Sequence, residues 1–229
     1  MSTPSNPASF DKSSTNKLNR RTAERFPDDT LFDRVARAVC EAECLPRKEL
    51  FESWECARRI RRHFRGGPVV EVTAGHGLLS ALLLLLDDTS PHAVIVDVRK
   101  PASHDKVMAA LVRHWPRLEG RLEFRERPLA EAPVSAESLV VAAHACGTLT
   151  DGVLDLALRA NARVAVLPCC HDLRECDSGK LTGWVDGPLA VDLVRAERLR
   201  AAGYGIRTML IPEEITPYNR LLLGEPASE

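Results

Sequence analysis

Two stretches of the chain gather reactive side chains at the ends of apolar runs. One reads Ala142-Ala143-His144-Ala145-Cys146-Gly147-Thr148-Leu149-Thr150-Asp151, the other Leu167-Pro168-Cys169-Cys170-His171-Asp172. Imidazoles and thiols in such numbers suggest three chemistries. His144 or His171 can act as general base toward a hydroxyl or amine, because an imidazole titrates near neutral pH. Cys146 or Cys169 can attack as a thiolate if a nearby imidazole favours ionisation. Cys169, Cys170, His171 and Cys176 can be considered for zinc, but the run has no Cys-x-x-Cys pair and adjacent cysteines chelate one tetrahedral ion poorly, so no metal site is expected. A structural reading stands beside these. Small cysteines pack well at crowded strand ends, and a buried histidine can be an ordinary core residue. Thr148 and Asp151 could also cap the helix that follows.

A second group lies upstream. Glu71-Val72-Thr73-Ala74-Gly75-His76-Gly77 ends an apolar run and opens directly into a helical stretch. Glycines there let the backbone turn tightly and approach a ligand with no Cβ in the way. Asp97 ends the next apolar run, 20 residues beyond Gly77. An acidic residue so placed can accept hydrogen bonds from both hydroxyls of a ribose. This arrangement suits a nicotinamide dinucleotide and S-adenosylmethionine equally.

The elements that must position these residues follow from periodicity. Short apolar runs at Val69–Val72, Ala93–Val96, Leu122–Phe124, Leu139–Ala143, Val164–Leu167, Gly205–Ile211 and Tyr218–Leu223 read as strands. Helical spacing covers 77–87, 103–118, 149–160 and 188–202, the last framed by Pro188 and Gly203. Two further helices, at 29–42 and 47–64, precede the first strand, and Gly66-Gly67-Pro68 breaks the second of them. Buried strands alternating with helices predict βαβ units and a mostly parallel sheet, in which the carboxyl ends of the strands share one ligand-binding edge. The last two strands are joined by only Pro212–Pro217, so they pair as an antiparallel hairpin. Tyr218-Asn219-Arg220 begins the last strand and could return toward that edge.

The bulk numbers fit one α/β domain: 229 residues, 45% hydrophobic. The expected organisation is a flexible tail at 1–22, a helical extension at 23–66 and the α/β domain at 67–229. Net charge is −1, with a mild excess of positive charge before residue 66. The run Arg58, Arg59, Arg61, Arg62, His63 and Arg65 either complements the C-terminus of its helix or meets a polyanion. Seven cysteines with two adjacent do not make a disulfide scaffold, and reduced thiols in the cytoplasm fit better. No signal peptide is apparent, and the longest apolar run, Leu78–Leu86, is too short to span a bilayer.

The segment from Glu71 to Gly77 resembles motif I of the class I S-adenosylmethionine-dependent methyltransferases, with Gly75 and Gly77 on two of its glycines and Thr73 where the first would stand. The seven-strand ending resembles the same Rossmann-like class. The pair HACGTLTD (144–151) and PCCHD (168–172), with TAGHG (73–77), RKELFESWE (47–55) and a fainter ITPYNRLLLG (215–224), resembles the family of the tRNA acceptor-stem 2′-O-methyltransferases and the methyltransferase-like protein 25 group. Pro168-Cys169 is also similar to the Pro-Cys pair of cytosine-5 methyltransferases, where a thiol attacks a pyrimidine.

These resemblances imply an S-adenosylmethionine-dependent enzyme. Glu71 would lie near the methionine amino group. Thr73, Ala74, Gly75 and Gly77 would run beneath the cofactor, with Asp97 on the ribose and His144 lining the site. The acceptor is unknown, with RNA and tRNA first; a small molecule is the alternative. A non-catalytic cofactor-binding protein acting through a partner is a third reading, although no obligate protein partner is evident. A nicotinamide oxidoreductase would carry a cleaner Gly-x-Gly-x-x-Gly; counting from Gly75, the third position here is Ser80.

Overall fold

A computed structural model describes residues 17–227. Its seven-stranded sheet comprises β1 (Val69–Val72), β2 (Ala93–Asp97), β3 (Leu122–Glu126), β4 (Leu139–Ala142), β5 (Arg163–Val166), β6 (Tyr204–Leu210) and β7 (Arg220–Pro226), in the order β3-β2-β1-β4-β5-β7-β6. β1 to β5 pair in parallel, and β7 runs antiparallel between β5 and β6. The short connection after β6 therefore does form a hairpin. The order reverses at β1 and β4, and a ligand crevice opens at the carboxyl edge of such a switch point.

Both faces of the sheet are covered, which is why the strands read as continuous apolar runs. Val69, Leu139, Val141 and Ala165 point into a core shared with α1 (Leu31–Ala42), α2 (Arg47–His63), α3 (Leu78–Leu86) and α4 (Ala102–His114). Val70, Val72, Val94, Val140 and Val164 point the other way, against α5 (Leu149–Ala160), with Leu199 of α6 (Gly187–Ala201) completing that core. The helix α3, LLSALLLLL, is apolar nearly all round because it is wedged between α2 and the sheet. The helical extension is thus not a separate unit: α1 and α2 share one core with the domain that follows.

The expected flexible tail lies mostly outside the described residues, but its last part is placed. Leu18 is buried, and Asn19 and Thr22 form a capping box at the start of a short 3-10 helix, Arg20–Arg25. Low apolar content hid this segment, because one buried leucine and one reciprocal cap suffice to seat it.

The basic run ending α2 is largely consumed within the fold. Arg58 and Arg59 both pair with Glu55. Arg61 is buried; its guanidinium reaches the carbonyls of Leu83 and Phe64, the Ser90 hydroxyl and, at 3.2 Å, the carboxylate of Asp87. Arg65 lies 3.8 Å from the same carboxylate. Moreover, α2 delivers Arg61 and Arg65 to the amino edge of the sheet, beside Gly66 and Gly67. Gly67 has φ +75°, and a Cβ there would meet the Glu137 carbonyl oxygen at 2.3 Å, so only glycine fits. Arg61 and Arg65 thus lie away from the loops that carry the reactive residues, whereas Arg59 donates to the Leu210 carbonyl at the end of β6 at 2.9 Å. Among the described residues no helix is long and apolar enough to cross a membrane.

Candidate active site

The loop after β1 is held from three sides. Gly77, at φ +76°, sits where a Cβ would press on the Ile95 side chain of β2 at 2.8 Å, so the loop lies flat against the sheet. Asp97, at the tip of β2, accepts the Gly75 N–H at 2.9 Å through Oδ2 and the Val98 N–H at 2.7 Å through Oδ1. From α4, the buried His104 places its ring nitrogen 3.1 Å from the His76 carbonyl oxygen. Thr73 also adopts a left-handed backbone, φ +51°. A β-branched residue there is a true outlier, costing roughly 1–3 kcal/mol. The position demands a glycine-like turn, which explains why the resembling motif carries glycine there.

The loop fits the adenosyl cofactor. A Cβ on Gly75 would have nothing within 4 Å, so this backbone faces open space rather than packed protein. Each Asp97 oxygen spends one acceptor site on the backbone and keeps another for a ribose hydroxyl. Glu71 lies within β1, just before the loop. It is buried, and its Oε2 accepts the Ser80 N–H of α3 at 2.8 Å. Burial pushes its carboxyl up to about 7, against the lowering effect of Ser80.

A stability prediction follows, because the folded chain binds a proton at Glu71 that the unfolded chain has released. This contribution is fully present below about pH 4.5 and is lost as pH rises through about 7. Urea unfolding across that window is expected to show stability falling by up to about 3 kcal/mol in the native chain, and Glu71→Gln is expected to remove that decline. An equal decline in both chains contradicts the assignment.

Two carboxylates escaped the sequence reading. Glu49 and Glu52 stand on the first half of α2, which reaches over the carboxyl edge. Glu49 Oε2 lies 2.7 Å from His76 Nε2, while His76 Nδ1 accepts the Leu78 N–H. Burial opposes ionisation of Glu49, but the His76 hydrogen bond prevails and lowers its pKa. Glu52 is 2% exposed; its Oε1 is 3.4 Å from Lys48 Nζ. Its Oε2 has no hydrogen-bond partner and lies 3.7 Å from Nε2 of His144, whose side chain is 43% exposed. The only hint was the segment Arg47–Glu55, where two carboxylates at i and i+3 share one helix face.

The two histidines expected as bases part company. His171 has a side chain 1% exposed, with Nε2 held 2.7 Å from Asp192 Oδ1. Arg220 donates to the other oxygen of Asp192 at 2.7 Å, and Tyr218 stacks obliquely near the imidazole. The Tyr218–Arg220 turn thus does return to this edge, where Arg220 and Asp192 clamp His171. Asp151 and Thr148 do not form the suggested cap: Thr148 makes no capping bond, and Asp151 pairs with Arg195 of α6 at 2.9 Å.

Cys146 and Cys169 lie with their sulfurs 3.1 Å apart. Burial raises the pKa of both, opposite to what a thiolate nucleophile requires. A groove of about 860 Å³ between α6, β6 and the 177–181 turn contains none of the expected site residues.

The glycine loop after β1, the carboxylate at the tip of β2 and the exposed imidazole after β4 gather at the carboxyl edge of a Rossmann-like sheet. A family model described as a methyltransferase domain matches residues 52–176, more than half of the chain, and the chain belongs to that family. No curated protein matches it. Among solved structures it is similar to an O-methyltransferase family protein from Burkholderia thailandensis (18% identity, TM-score 0.50, 92% of this chain and 64% of that one). It is also similar to the pyocyanin biosynthetic protein PhzM (16%, 0.51, 90% and 61%) and to the B. subtilis tRNA methyltransferase TrmK (11%, 0.51, 75% and 65%). The chain spans about three fifths of the first two. At such identities the likeness concerns the fold.

Proposed function

We propose that this chain is an S-adenosylmethionine-dependent methyltransferase in which His144 accepts the proton of the methyl acceptor. The observation that carries the reading is the placement of the unpaired Glu52 oxygen behind an exposed His144, one strand from the loop that Asp97 holds. S-adenosylmethionine, when bound, supplies an electrophilic methyl group. Asp97 takes the ribose, and the Ala74–Gly75 backbone lies under the cofactor. Glu52 orients the His144 imidazole and offsets the positive charge the ring gains, which leaves the other ring nitrogen for the acceptor's proton. Alignment supplies much of the catalysis of an in-line displacement. His171, buried in its clamp with Asp192, shapes the edge and does not reach the acceptor.

The acceptor we place among RNAs, tRNA first, on the motifs at 144–151 and 168–172 that resemble the tRNA acceptor-stem 2′-O-methyltransferase family. The Arg58–Arg65 run adds little to this, since Arg58, Arg59, Arg61 and Arg65 pair with Glu55 or Asp87 within the fold.

The test is transfer of labelled methyl groups to total tRNA and, separately, to a small-molecule extract. Label in tRNA is expected, with His144→Ala slowing transfer about 100-fold or more and leaving S-adenosylhomocysteine affinity within about threefold, under 1 kcal/mol. Label confined to the extract moves the acceptor to small molecules. Unchanged transfer by His144→Ala removes the base assignment. Cofactor binding without transfer to either pool favours a non-catalytic protein.

A further inference from the structure

Cysteines 146, 169 and 170 converge in a way their spacing hid. The pairing of β4 with β5 continues past both strands: Leu167 N–H reaches the Ala142 carbonyl, and Cys146 and Cys169 form an isolated parallel bridge. That brings their sulfurs together. Neighbouring residues on an extended strand point to opposite faces, so Cys170 should face away from Cys169. It does not, because Cys170 has a left-handed backbone, φ +48°. All three sulfurs lie within 4.8 Å of one another.

The strained turn is held in place from several directions. The Gly147 N–H bonds the carbonyls of both Cys169 (3.4 Å) and Cys170 (2.9 Å), and Gly147 itself has φ +56°. Arg195 donates to the Gly147 carbonyl at 2.8 Å. A left-handed cysteine costs on the order of 1 kcal/mol or more, and such strain concentrates at functional sites. Cys146 and Cys170 are exposed and Cys169 half-buried, so solvent reaches the sulfurs.

We propose that Cys146, Cys169 and Cys170 form a three-thiolate site for a thiophilic cation, with zinc(II) as the reference ion and the fourth coordination position open. Three sulfurs about 2.3 Å from one ion stand roughly 3.8 Å apart, so the 3.1 Å pair opens by well under 1 Å while the third sulfur is already in range. Three S–H protons pass to solvent as three sulfur–metal bonds form, with no change of oxidation state. His171, engaged with Asp192, and Cys176, buried beside Arg195, are not ligands. The objection that adjacent cysteines chelate poorly fails here because Cys170 is turned back. The site is independent of methyl transfer and lies at the same sheet edge.

The test uses the full chain, reduced and metal-free. Cobalt(II) titration is expected to produce a sulfur-to-metal charge-transfer band saturating at one equivalent and bleached by zinc(II). Cys170→Ser is expected to weaken zinc binding at least tenfold (about 1.4 kcal/mol), as is Cys146→Ser, whereas Cys176→Ser leaves it unchanged. Circular dichroism and S-adenosylhomocysteine titration are run on each variant. Because Cys170 is exposed on a turn, its variant keeps the test valid even if Cys146→Ser fails to fold. Absence of the band, or an undiminished band in Cys170→Ser, overturns the proposal. So does a fully reduced chain that takes up no zinc(II). A native chain that binds S-adenosylhomocysteine but takes up no metal would contradict this site alone and leave the methyltransferase reading standing.

Discussion

Replacing Asp87 by Ala is expected to destabilise the fold by about 3–5 kcal/mol, because it strands the buried guanidinium of Arg61 without its counter-charge. Both side chains are 2% exposed. Asp87 also accepts the N–H groups of Gly66 and Thr89 and the Thr89 hydroxyl. It ties the end of α2 to the start of the sheet and the end of α3. Burial would raise its carboxyl, but these donors and Arg61 prevail and hold it at about 2, against an ordinary 3.8. The stabilisation is therefore complete above about pH 4 and fades as pH falls through about 2. Urea unfolding at neutral pH measures the loss. A change below about 1 kcal/mol would show that water reaches the pair. The double variant Arg61→Met with Asp87→Leu should recover much of the loss, since apolar residues often replace a buried ion pair with little penalty.

The second large effect concerns the ligand rather than the fold. Asp97→Ala should weaken S-adenosylhomocysteine at least tenfold, about 1.4 kcal/mol, and up to about a hundredfold. Hydrogen bonds to a charged acceptor contribute roughly 1.5–3 kcal/mol each, and the substitution also frees the Gly75 N–H that fixes the loop. Asp97 is only partly buried, so binding should lose more than folding does. The opposite ranking, a large stability loss with affinity kept, would make Asp97 a brace for the loop and no more.

Particular residues show what could be read from the chain alone. Most strands and helices of the sheet domain fall within a residue or two of expectation, because buried apolar runs and Gly or Pro breaks are local signals; the helix read at 103–118 instead ends at His114, and the last strand runs on to Pro226. Gly77 and Asp97 were legible for the same reason: a strand tip and the turn after it announce themselves. Glu49 and Glu52 were not, since their role arises only when α2 lies across loops that come well after it in sequence. The Arg58–Arg65 run left a helix-dipole role and a polyanion surface both open because Asp87, which takes Arg61 and Arg65, comes 22 to 26 residues later. The three-sulfur cluster depends on one dihedral angle at Cys170, which no spacing rule encodes. His144 and His171 looked equivalent in sequence; only burial and the Asp192 clamp separate them.

If the loop at 73–77 and Asp97 hold S-adenosylmethionine, the purified chain binds its demethylated product. The most direct test is calorimetric titration of the purified chain with S-adenosylhomocysteine and, separately, with NAD, run beside Asp97→Ala. Micromolar binding of S-adenosylhomocysteine is expected, weakened in the variant, with no heat from NAD. Binding of NAD alone, or S-adenosylhomocysteine binding that Asp97→Ala leaves untouched, would contradict this assignment.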